Sequence, residues 1–132
     1  ELRAAIELNK ARGRTLKEIA AQLEPYLIDD GALEYEEEAA KKHLKGDDLS
    51  SRMSELHDVL EKTEPFDVTT TEAALRALAE SKGVSAAKLI HPLRLALTGR
   101  GASPGIFDVM VVLGKDRTLT RLKRLISRLP GA

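Results

Sequence analysis

The sequence predicts an all-α protein in two helical subdomains that meet near residues 64 to 68. Three observations carry that reading. Strict alternation of apolar and polar residues is sustained nowhere over a strand length, and β-branched residues are scattered. Apolar residues recur instead at helical spacing in almost every segment. Thr15 with Glu18, and Thr69 with Glu72, have the spacing of a capping box, in which a hydroxyl and a carboxylate satisfy backbone N–H groups at a helix start.

The first segment places Leu2, Ala5 and Ile6 on one stripe before Gly13 interrupts it. Thr15 opens a second helix through Leu16, Ile19, Ala20 and Leu23, which Pro25 ends. Tyr26 to Gly31 reads as a loop. A third helix runs from about Leu33 to Leu44, acidic at its start (Glu34, Glu36, Glu37, Glu38) and basic at its end, an order the helix dipole favours. Met53, Leu56, Val59 and Leu60 make a fourth, stopped at Glu64-Pro65. From Thr69 an Ala-rich helix runs to Gly83. Ser85 caps the next, whose stripe is Leu89, Leu93 and Leu97; Pro92 inside it removes a backbone donor and predicts a kink near His91. Gly99 to Ala102 is a loop, and Ser103-Pro104 an N-cap followed by proline at the first helical position. That helix carries Ile106, Phe107, Met110, Val111 and Leu113 and ends at Gly114; the last runs from about Lys115 to Leu129.

A chain of 132 residues is long enough for a real core in one domain or two small halves. It has no cysteine, which excludes disulfides, thiol nucleophiles, thiolate zinc sites and cysteine-ligated iron–sulfur clusters. No apolar run approaches a membrane span and nothing has the pattern of a signal peptide, so a soluble, cytoplasmic protein is expected. The lack of an initiating Met suggests a segment excised from a longer chain.

The 21 basic and 21 acidic side chains cancel, a balance that by itself argues against a nucleic-acid partner. Their distribution argues otherwise. Residues 1–17 carry +3, residues 18–64 carry −9, residues 65–80 carry −2 and residues 81–132 carry +8. In a compact fold the two basic segments are expected to converge on one face that meets a polyanion, with the acidic middle elsewhere.

No catalytic residue and no metal site is expected. The imidazoles His43, His57 and His91 include no pair at i, i+4, and His57 shares a stripe with Met53 and Leu60. The serines read as helix caps with no nucleophile elbow, and Gly99-Arg100-Gly101 is too short for a phosphate loop. Three features exceed what a plain helical bundle predicts. Arg94 lies off the Leu89, Leu93, Leu97 face. The glycines of the 99–105 loop permit close approach by a ligand. Arg117, Arg121, Arg124 and Arg128 form a stripe opposite Leu119, Leu122 and Ile126. Singly these are a surface arginine, a tight turn and a solvated face. Together they describe an electropositive wall beside an open loop, suited to an RNA backbone, with Lys88, Arg100, Arg117 and Arg121 as its phosphate contacts.

The run from Lys88 to Gly99 with its His91-Pro92-Leu93-Arg94 centre, then Ser103-Pro104-Gly105-Ile106-Phe107-Asp108-Val109, then Leu113-Gly114-Lys115-Asp116-Arg117 and Arg121-Leu122, closely resembles the C-terminal anticodon-binding region of bacterial-type glutamyl-tRNA synthetases. Arg12-Gly13-Arg14-Thr15-Leu16 and the acidic-then-lysine stretch from Tyr35 to Leu44 are similar as well, and the likeness is weak between residues 45 and 65. Phe66 departs from a frequent tryptophan and reads as a core substitution. The resemblance implies a two-part helical cage that grips the anticodon end of tRNA(Glu), and leaves open whether tRNA(Gln) is accepted too. The family's HIGH and KMSKS signatures are absent from this stretch. The resemblance therefore implies a non-catalytic part of an ATP-dependent glutamate–tRNA ligase, monomeric and next to its own N-terminal catalytic domain. No cofactor is expected here, ATP and Mg²⁺ belonging to that catalytic domain. Carried over residue by residue, Arg12 matches the basic residue that reads the third anticodon base, and Arg94, Ser103 and Ile106 match positions around the first. The alternative from a different class is a helical protein-interaction module with an acidic binding face at Glu34 to Glu38 and Asp47-Asp48. A third reading is a fragment that anchors or regulates a synthetase complex without touching RNA.

Overall fold

The computed structural model describes residues 23–46 and 48–130, so the Leu2 stripe, the Thr15 box and Arg12 lie outside the described residues. Within them the fold is all-α. A helical stretch at 23–27 leads through a 3₁₀ turn, Asp30–Ala32, and an extended segment at 33–36 into six helices: α1 (Glu37–His43), α2 (Leu49–Glu61), α3 (Val68–Lys82), α4 (Ala87–Thr98), α5 (Ile106–Leu113) and α6 (Lys115–Ile126).

The helices α2, α4 and α5 and the 3₁₀ turn all pack against α6, while α3 covers α2 and α5. Met53, Leu56 and Leu60 of α2, Leu75 of α3, Leu89, Leu93 and Leu97 of α4, Met110 of α5, and Leu122 and Leu125 of α6 are fully buried. Each contributes about 1.5 to 3 kcal/mol through removal from water. These residues form one cluster to which both sides of the expected 64–68 boundary contribute, with Phe66 packed against it. The Nζ of Lys115 at the start of α6 donates to the Thr63 carbonyl at 2.9 Å and to Glu64 at 2.7 Å, tying α6 to that boundary. No described helix is long and apolar enough to cross a membrane.

Several element ends differ from the sequence expectation. Pro25 does not stop its helix: residues 23–27 are helical, and the chain leaves the helix after residue 27. The helix expected from Leu33 starts at Glu37, because the extended segment before it pairs with the end of α4: the Glu36 amide donates to the Gly99 carbonyl at 2.7 Å. The cap of α3 is Asp67, not Thr69; its carboxylate accepts from the Thr70 amide at 2.7 Å, and Glu72 pairs with Arg76 instead. Neither Ser85 nor Ser103 caps a helix with its side chain. The chain enters α4 through Ala86 and α5 through Gly105. The last helix ends at Ile126 rather than Leu129, although Leu129 still reaches the core. Pro92 sits inside α4, which continues through it to Thr98.

Candidate nucleic-acid interface

The helix α4 buries Leu89, Leu93 and Leu97 and so turns Arg94 toward the loop that follows Gly99. The Nε of Arg94 donates to the Ser103 hydroxyl at 3.0 Å, and that hydroxyl donates to the Pro104 carbonyl at 2.7 Å. A terminal nitrogen of Arg94 lies 3.5 Å from Nδ1 of His91. The His91 ring stacks on His43 of α1, centroids 4.5 Å apart and planes at 17°. Arg94 is half-buried and has no carboxylate partner among the described residues. Burial pulls its pKa below the usual arginine value, the expected direction for a cation removed from water without an anion beside it. Such a guanidinium retains a strong tendency to bind an anion or a base edge rich in acceptors.

The arginine stripe is the main correction. Arg121 has no exposed surface; it donates to Asp30 and to the Leu97 and Ile28 carbonyls. Arg117 binds Asp30 at 3.1 Å, the Tyr26 carbonyl at 2.8 Å and the Ile28 carbonyl at 3.0 Å. Arg124 donates to the Tyr35 hydroxyl at 3.2 Å, and the guanidinium groups of Arg124 and Arg128 lie 5.2 and 5.3 Å from the Tyr35 ring centroid. The stripe is therefore a clamp on residues 26–35 and not a wall for phosphates. Partial burial pushes the Asp30 carboxyl up, but its hydrogen bonds and ion pairs with Arg121 and Arg117 outweigh this and hold it below the usual aspartate value.

Four further expectations change with the geometry. At Gly99, φ is +73° and an added Cβ would stand 2.1 Å from the Glu34 carbonyl oxygen, so the chain that approaches this glycine is the protein's own 33–36 segment. The Gly101 amide donates to Glu36 at 2.8 Å. Arg100 borders a cleft of about 360 Å³ together with Glu24, Glu34 and Glu36, whose field opposes a phosphate. Ile106 is 2% exposed and belongs to the core, so it presents no packing surface to a base. Lys88 is exposed, near the start of α4. The acidic middle thus lies against the basic last third at Asp30 and Glu36 instead of apart from it.

Of the expected site residues the structure brings Arg94 and Ser103 together. The sequence carries no local signal for the pairing of His43 with His91, which lie 48 positions apart. Among the described residues, His57, Asp58 and Glu61 could hold a metal ion, with ligand atoms within 4.8 Å of one another on the outer side of α2.

Residues 1–126 match the family model described as an anticodon binding domain. The chain belongs to the anticodon-binding domain family. Its members that resemble it include a glutamate–tRNA ligase of Bradyrhizobium sp., 42% identical over 123 residues, and glutamate–tRNA ligase 2 of Koribacter versatilis, 41% identical over 121. These alignments cover 93% and 92% of this chain and 25% of each relative. A crystal structure of a glutamate tRNA ligase from Elizabethkingia meningosepticum superposes with a TM-score of 0.84 at 28% identity, covering 95% of this chain and 24% of that one. The chain therefore spans about a quarter of the length of the ligases it matches.

Proposed function

We propose that this anticodon-binding domain reads the anticodon of tRNA(Glu) within a glutamate–tRNA ligase, with Arg94 and Ser103 at the first anticodon base and Arg12 at the third. The observation that carries the reading is Arg94: half-buried, hydrogen-bonded to Ser103, and without a carboxylate partner among the described residues. A hydroxyl and a planar fork side by side suit an unstacked base, which is recognised along its hydrogen-bonding edge. Cytosine offers O2 and N3 as acceptors to a guanidinium, whereas guanine presents N–H donors over much of that edge. The same chemistry at Arg12 favours glutamate over glutamine anticodons at the third position, so Arg12 would set whether tRNA(Gln) is accepted.

The test is aminoacylation kinetics of the native full-length protein with Arg94→Ala and Arg94→Lys. Against tRNA(Glu) and transcripts altered at the first anticodon base, both variants are expected to lose roughly 1 to 3 kcal/mol of discrimination at that base. Lysine should not restore it, because an ammonium cannot form the fork. Kinetics that retain the original preference at the first base in both variants would remove Arg94 from the readout. Arg12→Gln should change the ratio between tRNA(Glu) and tRNA(Gln) and leave the first base alone.

A further inference from the structure

Beside the Arg94 site, on the far side of His91, the end of α1, the start of α2 and the first turns of α4 enclose a cleft of about 340 Å³. Lys42, Lys45, Arg52 and Lys88 border it with His43 and His91, against a single described carboxylate, Asp48. Lys42 and Lys45 come from the acidic middle of the sequence, and Lys88 from the basic third. The fold brings them together because His43 stacks on His91 and thereby docks the end of α1 on α4.

Arg52 makes the cleft more than a set of surface lysines. Its side chain is only 9% exposed, one terminal nitrogen binds Asp48 at 2.9 Å, and the other makes a long 3.5 Å contact to the Lys88 carbonyl. That carbonyl is the one whose helical donor Pro92 removes, four residues on. The Nε of Arg52 is buried and has no partner among the described residues. The Asp48 charge is thus already engaged, and the remaining cations meet no anion of the described protein.

We propose that this cleft is a second subsite of the interface, which takes a backbone phosphate of the same RNA strand whose base lies at Arg94. The proposal rests on the function proposed above and extends it to the path of the strand. Continuity argues for RNA: His91 touches Arg94 on one side and lines the cleft on the other. Flexible lysine ammonium groups suit phosphates and carry no base preference, whereas Arg94 next door supplies the planar fork. The two histidines support the same assignment. Burial holds both below the usual imidazole value, helped at His43 by the charges of His91, Lys42, Arg94 and Lys45 and at His91 by those of Arg94 and Lys42. A phosphate in the cleft would offset Lys42, Lys45, Lys88 and Arg94 and raise both.

The experiment uses the native full-length protein, transcribed tRNA(Glu), and the same transcript changed at the first anticodon base. For the double variant Lys42→Gln/Lys88→Gln the expected result is equal weakening toward both RNAs, about tenfold at physiological salt. The slope of log affinity against log salt should become shallower by about 1.4, or about 0.7 per contact on a single strand. NMR titration of His43 and His91 should show both pKa values rising when tRNA(Glu) binds. If the unaltered protein binds tRNA(Glu) and the double variant binds it with the same affinity and salt slope, the cleft is overturned while the anticodon reading stands. If the unaltered protein binds no tRNA, the anticodon reading fails and the cleft proposal with it. Unchanged RNA binding with lowered thermal stability of the full-length protein would assign the cleft to a neighbouring protein surface, and so also overturns the proposal.

Discussion

Arg94 and Arg121 sit on two helices that pack against each other, and their chemistry diverges because, among the described residues, only Arg121 has a carboxylate partner. Asp30 lies against Arg121 and Arg117, so Arg121 is a paired, buried charge whose remaining donors go to carbonyls. Removing one member of such a pair leaves the other uncompensated, which is far more costly than never having had the pair. Asp30→Asn is therefore expected to destabilise the fold by about 3 kcal/mol, read by chemical denaturation, with Arg121→Met at least as severe. The pH dependence follows from the depressed carboxyl of Asp30: its contribution is complete above the ordinary value of 3.8 and is lost as pH falls through the lower folded value. The gap between wild type and Asp30→Asn should stay constant from neutral pH down to about that point and close below it. An undiminished gap in strong acid would mean that the ion pair is not what Asp30 supplies. The arginine spacing was legible in the sequence; its partner was not, since Asp30 lies some 90 residues away and a stripe of cations looks the same whether it faces water or a carboxylate.

At the scale of elements, helix stops were more legible than helix starts. Gly83 and Gly99 both end helices in the left-handed region, at φ +68° and +73°, where only glycine avoids a Cβ penalty. A start depends on where the incoming chain comes from. Asp67 lies on the right path to reach the Thr70 amide, so it displaced the capping box read at Thr69. Glu36 is held by Gly99 and thereby delays α1. The two glycine stops differ in their surroundings, and this gives a prediction. An added Cβ at Gly83 meets nothing within 4 Å, whereas at Gly99 it meets the Glu34 backbone at 2.1 Å. Gly83→Ala should cost about 1 kcal/mol, the left-handed strain alone. Gly99→Ala should cost about 3 kcal/mol or more, because the 33–36 segment must also move. Equal melting temperatures for the two variants would show that the 33–36 segment yields without cost.

For the whole molecule, the charge segregation along the sequence predicted a basic face, and the fold spends that charge in two ways. Part of the basic third is consumed internally: Arg117 and Arg121 hold Asp30, and Arg124 and Arg128 lie over Tyr35. Part of the rest gathers on the other side of α4, where Arg94, beside His91, is joined by Lys88 and, from the acidic segment, Lys42 and Lys45. Net charge by segment is visible in a sequence, but which cations remain unpaired is a property of tertiary contact. The distinction can be tested by comparing two sets of neutralised cations in the native full-length protein. Arg124→Gln/Arg128→Gln removes as much formal charge as Lys42→Gln/Lys88→Gln, yet it should leave tRNA affinity within about twofold and the salt slope unchanged, since only phosphate contacts release counterions. It should instead lower the melting temperature, because it loses two cation–π contacts worth about 0.5 to 1 kcal/mol each, and the bond to the Tyr35 hydroxyl. Burial holds that hydroxyl above its usual pKa, so the phenol stays protonated at neutral pH and the loss should not vary between pH 6 and 8. A shallower salt slope in the Arg124/Arg128 variant would return the stripe to the RNA-facing surface and undo this division of charge.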